Sequence, residues 1–403
     1  MSLLISYIQP WTVASLLSIT PFFSQTQDCV KKPAKQQQCE PLIQCQETTF
    51  QPPIQASTQP TYAGYNAPAE INTGYEGDIN FFVSGSFLFW QPLQDNMVVA
   101  SVFNNSQPDL TATYQNATNG QVFNANCLEF DYKYKPGFQV TLGMNLQDDN
   151  WVGYGEYTRV HGTHTISSHG PSGGAGIVST TDTENGEIYS TVSANFTCNL
   201  DFADAILERV YYIGRNLVIH SAFGGRGAWI TESLITHYRD GTTSTPGTAS
   251  NLSLKYTEDN VTQRVRSWGV GPRGGAELDW DLGAGVRYFG NAFLDVLYTN
   301  YKVQHRNTPT IQIINTGSTT VLEHVTSLAT KDIIHTLRTH VDTEIGLGWG
   351  FYSKNKGWHF DFSGSYGFQV FFNQNMFSSS TLAPIHNGNL YIHGATATMR
   401  LDF

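Results

Sequence analysis

The chain has 403 residues, of which 14% are charged, 13% are aromatic and 37 are glycine, and its formal net charge is −11. Soluble domains average about 25% charged residues, and nucleic-acid binding relies on basic patches that an acidic chain lacks. After residue 25, no apolar run approaches the roughly 20 residues of a membrane-spanning helix. The composition instead fits strands that face lipid on one side and water on the other.

Residues 1–26 contain a moderately apolar stretch that is similar to the hydrophobic region of a secretory signal peptide. Its features are atypical, because no basic residue precedes Lys31 and Pro10 interrupts the stretch. Residues 27–77 are rich in Gln, Pro and Thr and show little periodicity, which predicts a flexible linker or periplasmic segment rather than a packed domain.

The chain has an odd number of cysteines, and three of the five, Cys29, Cys39 and Cys45, lie in the segment 27–77. Their spacing does not match a zinc site. In an oxidising envelope, a disulfide among them or to a neighbouring protein is one interpretation. Free or locally paired thiols in a flexible segment are the other.

From residue 78 to residue 403 the chain is a succession of segments in which apolar and polar residues alternate. Even positions are apolar in 138–146, and the same period of two recurs in 341–351, 358–372 and 389–403. This period predicts strands with one apolar face and one polar face. Aromatic residues concentrate near predicted strand ends, as in the girdles of membrane barrels; they are Trp90, Trp151, Tyr211, Tyr212, Trp280 and Trp358.

The predicted connections alternate between short and long, which is typical of an outer-membrane barrel with tight periplasmic turns and long outer loops. We therefore predict an all-β fold, a transmembrane antiparallel up-and-down β-barrel over residues 78–403. We count about twelve strands. The count falls to ten if Lys135-Pro136-Gly137 is a bulge and 96–103 is not a strand. The long connections lie at about 165–189, 239–256, 306–326 and 374–388.

No sequence motif of a hydrolase, metalloprotease or nucleotide-binding site occurs, so we expect no enzymatic activity and no cofactor. His161 and His164, with Ser167 and Ser168, could mimic the site of an outer-membrane phospholipase, but polar loop-entry residues are the simpler interpretation. We also expect no metal site, because His161, His164 and His169 lie in a Gly/Ser-rich loop with no carboxylate at ligand spacing.

Charged residues fall on the positions predicted to face the lumen. The pore-lining candidates are Arg226, Arg273, Glu277, Arg287, Asp295, Asp342, Glu344, Asp361 and Arg400. The same assignment includes Asp201, Asp279 and Asp402, with Arg264 and Arg266 in a neighbouring strand. Such charges either line a water path or close the lumen as ion pairs. A ten-stranded barrel can be filled by its own side chains, whereas twelve strands would leave a narrow path.

Several segments in a fixed order resemble the Legionella-type pore-forming major outer membrane protein family, which includes related proteins of chlamydia-like bacteria. They cover about residues 80–403 and include Phe87-Leu88-Phe89-Trp90, Pro136-Gly137-Phe138-Gln139-Val140, Glu208-Arg209-Val210-Tyr211-Tyr212, Phe223-Gly224-Gly225-Arg226 and Trp268-Gly269-Val270-Gly271-Pro272-Arg273. The resemblance implies an outer-membrane porin and major surface antigen, and it implies no catalytic residues. Disulfide cross-linking of the envelope through Cys29, Cys39 or Cys45 follows only by analogy.

We expect an outer-membrane porin that passes small hydrophilic solutes or ions, with a weak preference for cations. A plugged structural or adhesive surface barrel without conductance is the alternative. The expected partners are outer-membrane lipid, the barrel-assembly machinery and the solutes, with a homo-oligomer or disulfide-linked envelope partners as further options and no nucleic acid. Phe403 is the expected assembly signal.

Overall fold

The computed structural model describes residues 79–103, 125–146, 150–170, 176–180, 188–213, 216–241, 244–246, 252–315, 318–322, 328–353, 357–377 and 388–403. Within these ranges, no helix is long and apolar enough to cross a membrane. The signal-like segment 1–26, the segment 27–77 and the three cysteines of that segment lie outside the described residues.

Ten long strands form one closed antiparallel ring. In ring order they are β1 (Ile79–Gln94), β4 (Lys135–Leu146), β5 (Trp151–His169), β8 (Thr191–Ile213), β9 (Leu217–Arg239), β11 (Leu252–Gly283), β12 (Val286–Asn307), β15 (Leu328–Tyr352), β16 (His359–Asn375) and β17 (Gly388–Asp402). β17 pairs with β1 from Phe82 opposite Asp402 to Gln94 opposite Leu390, which closes the ring. The protein is therefore an up-and-down β-barrel.

The ring holds ten strands, so the prediction of about twelve is wrong and the alternative of ten is correct. Two predicted strands, 96–103 and 121–134, do not join the ring. Their described parts include two four-residue strands, β2 (Ala100–Phe103) and β3 (Ala125–Leu128), which pair with each other in a separate sheet. No bulge at Lys135 is needed, because β4 begins at that residue and pairs directly with β1.

The remaining short strands belong to the long connections. β6 (Ile177–Ser179) and β7 (Ile188–Tyr189) complete the small sheet, in the order β3-β2-β6-β7. β10 (Ser244–Pro246) pairs with the start of β11, and the hairpin of β13 (Thr310–Asn315) and β14 (Ser318–Leu322) extends the same part of β11. All these elements lie at one end of the barrel, which we call the loop end.

The opposite end carries only tight connections, and we call it the turn end. β11 and β12 are joined across Gly283, Ala284 and Gly285, all three of which have positive φ. β1 begins and β17 ends at the turn end, where Phe81 and Phe403 exchange two backbone hydrogen bonds of 3.0 and 2.9 Å. In outer-membrane barrels, short turns face the periplasm and long loops face outward, which orients the barrel.

Near the turn end, apolar side chains point outward and polar side chains point into the lumen. On β4, Phe138, Val140, Leu142 and Met144 are 42 to 62% exposed, whereas Thr141 and Asn145 on the opposite face are buried. On β11 the outward apolar positions run from Trp280 to Trp268. Twelve residues of a tilted strand span about 30 Å along the barrel axis, close to the thickness of a membrane. This part of the barrel therefore faces lipid.

Near the loop end the two faces exchange character. On β8, Phe196, Leu200 and Phe202 are at most 1% exposed and point inward, while Asn195 and Asp201 lie on the outer face. β8 has 23 residues, about twice the 9–11 that cross a membrane. The strands thus continue beyond the lipid, where water surrounds the barrel and the inside becomes the apolar core.

Three details of the sequence prediction are wrong, the first two for this reason and the third because the residue lies on the inward-facing side of β1. Asp201 does not face the lumen, because it bonds Tyr157 and His161 on the outer face of the barrel. Arg264 and Arg266 also point outward from β11, beyond Trp268. Trp90 is not a girdle residue, because it is 7% exposed inside the barrel and its Nε1 donates to Thr396 Oγ1 at 3.1 Å.

Candidate functional site

A polar cavity of about 220 Å³ lies inside the lipid-facing part of the barrel. A single buried water needs far less space than this. Side chains from all ten ring strands line the cavity, so the closed ring itself creates it. The charged lining residues are Glu156, Asp204, Glu208, His220, Arg226, Arg273, Glu277, Arg287, Asp342, Glu344, Asp361 and Arg400.

Midway along the lumen, two arginines are held by aspartates on neighbouring strands. Arg226 faces Asp204 directly in the register of β8 and β9, and its Nε and Nη2 donate to the two carboxylate oxygens at 2.7 and 2.6 Å. Arg273 faces Asp295 across β11 and β12 at 2.9 Å, and its second amino group reaches Asp342 at 2.8 Å. The strand register places each arginine directly opposite an aspartate on the next strand. The charge of each guanidinium is therefore neutralised at the lumen wall.

His340 connects these two pairs on the side away from the cavity. Its Nδ1 hydrogen-bonds Asp295, the residue opposite it on β12, and lies 3.2 Å from Nη1 of Arg226. Asp295 and His340 are both fully buried. The pairs and His340 therefore form one connected network that fixes one side of the lumen.

A second charged network lies closer to the turn end. Arg287 donates to Asp361 at 3.1 and 3.3 Å, and its Nε lies 3.0 Å from Asp279. His220 bridges Asp279 and Glu208 at 3.4 and 3.2 Å. This network links β8, β9, β11, β12 and β16 across the lumen.

Arg400 and His359 form a separate pair of contacts with Asp402. Arg400 Nη2 donates to one carboxylate oxygen of Asp402 at 2.7 Å, and His359 Nδ1 lies 2.9 Å from the other. The guanidinium of Arg400 also stacks over Phe82, with its carbon 3.8 Å from the ring centre. These residues line the lumen at the point where β16, β17 and β1 meet.

Glycines on the inner face of β15 make room for the residues of β12. A Cβ on Gly348 would lie 3.1 to 3.3 Å from the side chain of Arg287. A Cβ on Gly346 would lie 2.5 Å from Phe289 and 2.7 Å from the backbone oxygen of Gly364. Arg287 can therefore reach across β15 to Asp361 on β16 only because the intervening positions lack side chains.

Three glutamates of the cavity are left without a cationic partner. Among the described residues, no arginine or lysine lies within ion-pairing distance of Glu156, Glu277 or Glu344. Glu156 accepts from Thr141 at 3.1 Å, and Glu344 accepts from Asn291 at 3.1 Å and from Ser365. Because the arginines are engaged by aspartates, these three glutamates are carboxyl groups of the cavity that no described arginine contacts directly.

An apolar layer closes the lumen on the loop side of the cavity. Its barrel residues include Leu88, Val160, Phe196, Leu200, Phe202, Ile230, Val265, Leu297, Phe371 and Leu390, and its connection residues include Met97, Val99, Phe130, Ile177, Tyr189 and Phe377. Phe202 also lines the cavity and stacks on Phe371 at 5.4 Å between ring centres. The apolar layer therefore begins where the cavity ends.

Hydrogen bonds tie the long connections into this layer. Tyr238 donates to the backbone oxygen of Val99 at 2.6 Å, which holds the segment leading to β2 inside the barrel. Gln374 joins Tyr301 and Glu232 through bonds of 3.3 and 2.9 Å. Arg338 donates to Tyr301 at 3.2 Å. These polar groups are buried within the layer, so the layer is an ordered core rather than a loose constriction.

Eight of the nine predicted pore-lining residues line the cavity, and the ninth, Asp295, lies behind Arg226 and Arg273. Sequence reasoning missed Glu156, Asp204, Glu208 and His220. Asp204 and Glu208 lie on the same face of β8 as the apolar Phe196, Leu200 and Phe202, and an apolar face of a strand by itself predicts contact with lipid. That Asp204 lies opposite Arg226 becomes evident only when the register of β8 and β9 is known.

Other predicted residues lie away from the cavity. Phe403 is 51% exposed beside Phe81, and its role as an assembly signal stays a prediction. Cys127 is exposed on β3 and Cys198 is buried on β8, and neither is in a disulfide. His161 lies on the outer face of β5 and His164 on the inner face, so the two side chains do not converge.

The comparison with solved structures found several matches of low overall similarity. The outer membrane protease OmpT from Escherichia coli has 9% sequence identity and a TM-score of 0.36, covering 80% of this chain and 96% of its own. A mutant of the monoaromatic hydrocarbon channel TodX has 9% identity and a TM-score of 0.24, covering 82% and 91%. A Pseudomonas aeruginosa FadL homologue has 7% identity and a TM-score of 0.24, covering 81% and 90%.

The comparison with curated proteins found no match. The family described as the Legionella pneumophila major outer membrane protein precursor matches residues 77–403. The match covers all ten ring strands, both charged networks of the lumen and the apolar layer. The chain belongs to the Legionella major outer membrane protein family and is an outer-membrane β-barrel.

Proposed function

We propose that this protein is a porin for small hydrophilic solutes or ions, with a preference for cations, and that the apolar layer gates it. The observation that carries the proposal is the polar cavity inside the lipid-facing barrel. A cavity of this kind gives water and ions a favourable environment at the depth of the membrane. Membership of a major outer membrane protein family supports the same function.

The cation preference rests on the three glutamates without cationic partners. When ionised, Glu156, Glu277 and Glu344 carry negative charge in a confined space surrounded by a low-dielectric wall, which strengthens their field. The arginines of the cavity do not oppose this field fully, because each contacts at least one aspartate. A cation that enters the cavity is therefore attracted, whereas a small anion is repelled.

Bilayer recording with purified protein tests both parts of the proposal. Under a KCl gradient, we expect discrete conductance steps and a reversal potential of the sign that indicates potassium selectivity. A variant with Glu156→Gln, Glu277→Gln and Glu344→Gln should move the permeability ratio of potassium to chloride toward one. Asp201→Asn, which removes a carboxylate on the outer face of the barrel, is the matched control. Anion selectivity of the unmodified protein would refute the cation preference.

A second candidate function is a closed barrel that serves as a structural or surface protein. The apolar layer favours it, because the outer half of the lumen is filled by buried side chains in the described conformation. In that case no conductance above the lipid background should appear, even at high voltage. Both candidate functions, the porin and the closed barrel, are non-enzymatic. Hydrolysis of phospholipid or peptide substrates by the purified protein would contradict both.

A further inference from the structure

A row of aromatic side chains marks the outer edge of the lipid-facing surface on three neighbouring strands. Trp229 on β9, Trp268 on β11 and Tyr298 on β12 point outward and are 50, 43 and 46% exposed. The rings of Trp268 and Tyr298 are 6.3 Å apart, and the hydroxyl of Tyr298 lies 3.1 Å from Nδ1 of His335 on β15. Amphipathic aromatic rings prefer the headgroup level of a membrane, so this row lies at the outer-leaflet boundary.

Basic side chains follow immediately on the loop side of this row. Arg266 lies two residues beyond Trp268 on the same face of β11, and Lys302 is its opposite neighbour on β12. One step farther, Arg264 on β11 and Lys331 on β15 flank Gln304 of β12 from its two sides. Cross-strand neighbours on one face are about 5 Å apart. We call Arg264, Arg266, Lys302 and Lys331 the basic belt; Arg306 points outward from the same strand as Lys302.

The basic belt is not neutralised by the protein. None of its four side chains has a carboxylate within 4 Å among the described residues. By register the closest acid is Asp332, opposite Val303, and its carboxylate accepts the backbone N–H of Ile333 at 2.8 Å. Elsewhere on the outer face, by contrast, Arg159 lies 3.8 Å from Asp201. Among the described residues, the basic belt is thus a patch of uncompensated positive charge at the level where lipid headgroups begin.

We propose that the basic belt binds the phosphate groups of a phosphorylated glycolipid, of the lipid A type, in the outer leaflet. The aromatic row would contact the sugar and the start of the acyl chains. The basic belt, which lies two to four residues farther along the strands, would contact the phosphates. Arginine donates two parallel hydrogen bonds to phosphate and lysine supplies a point charge, so the four side chains suit this headgroup. A neutral or zwitterionic lipid would not compensate four cations.

Native mass spectrometry of the folded full-length protein in a non-ionic detergent tests the proposal, with bisphosphorylated lipid A as the probe. We expect the variant with Arg264→Gln, Arg266→Gln, Lys302→Gln and Lys331→Gln to bind at least tenfold more weakly than the unmodified protein. This expectation is conservative, since each cation near an anionic lipid surface increases the binding affinity roughly fivefold. Dephosphorylated lipid A should bind the unmodified protein as weakly as the bisphosphorylated form binds the variant.

Arg159→Gln is the matched control, because it removes one outward arginine that already has an acidic neighbour, Asp201. The affinity of this variant for lipid A should equal that of the unmodified protein. Heat-modifiable mobility on a gel verifies that each variant is folded. If the fourfold variant does not fold, the double variants Arg264→Gln/Arg266→Gln and Lys302→Gln/Lys331→Gln replace it, each with an expected loss of about tenfold or more. Three outcomes overturn the proposal: undiminished binding by the neutralised variants, an equal loss in Arg159→Gln, or displacement of lipid A by equimolar inorganic phosphate.

Discussion

Arg226 illustrates how single charged residues stabilise the lumen. Its side chain is 3% exposed, and the side chain of its partner Asp204 is equally buried. The pair forms because β8 and β9 place the two residues opposite each other, so neither side chain has to search for a partner. A buried charge that loses its partner is strongly unfavourable, whereas an exposed pair contributes little.

We therefore predict that Arg226→Ala destabilises the barrel by about 3–5 kcal/mol, because Asp204 is left as an uncompensated buried charge. Urea-induced unfolding of the protein in lipid vesicles measures the change. Arg159→Gln serves as the control, since Arg159 is 48% exposed next to Asp201 and its loss should cost less than about 1 kcal/mol. Similar losses in both variants would show that burial of the pair at Arg226 is unimportant.

At the scale of the strand, the register of β12, β15 and β16 decides how the inner face is filled. Gly346 lies between Phe289 on β12 and Ser365 on β16, and the ring of Phe289 occupies the space that a side chain at 346 would need. The small residue on one strand thus accommodates the large residue on the next. Exchange of small for large residues in such a packed position forces side chains out of their preferred rotamers.

The prediction for this element is that Gly346→Ala destabilises the folded barrel by about 1–3 kcal/mol through overpacking against Phe289. Gly364→Ala is the matched control on β16, because a Cβ at Gly364 meets no atom within 4 Å. Unfolding in lipid vesicles compares the two. A Gly346→Ala protein as stable as the Gly364→Ala protein would contradict the packing argument.

For the molecule as a whole, the number of strands sets the width of the lumen. Ten strands enclose a space that side chains can fill, and the apolar layer fills its outer half with residues from both the barrel and the connections. Phe371 lies at the centre of this arrangement: it is fully buried, stacks on Phe202 and lies under the guanidinium of Arg338 at 4.9 Å. Under the proposed porin function, passage of solutes requires this layer to open.

If the apolar layer is the gate, Phe371→Ala should increase the single-channel conductance or the fraction of time that the channel is open. Removing the ring leaves a void directly next to Phe202, which lines the polar cavity. Phe372→Ala is the matched control, because the neighbouring ring is 39% exposed on the outer face. Bilayer recording of both folded variants provides the measurement. An unchanged Phe371→Ala channel, or an equal increase in Phe372→Ala, would place the gate elsewhere.

The residue pattern by itself determined that this protein is a β-barrel. The period of two on β4, with Leu142 outward and Thr141 inward, needs no knowledge of partners, because lipid and water impose opposite demands on the two faces of one strand. The alternation of tight turns with long connections follows from the same local signals. The charged residues of the lumen, such as Arg273 and Glu344, could also be assigned to the inner face by parity alone.

Only the tertiary structure decided where the lipid ends and which charges are neutralised. Phe196 and Leu142 are both apolar residues on strands in which apolar and polar residues alternate. Phe196 belongs to the inner core whereas Leu142 faces lipid, because β8 continues into water beyond the membrane. Arg226 is paired while Glu156 is not, because pairing depends on which residues the register places opposite each other. The closing strand β17 needed β1 as its partner, and that contact joins residues about 300 positions apart in the chain.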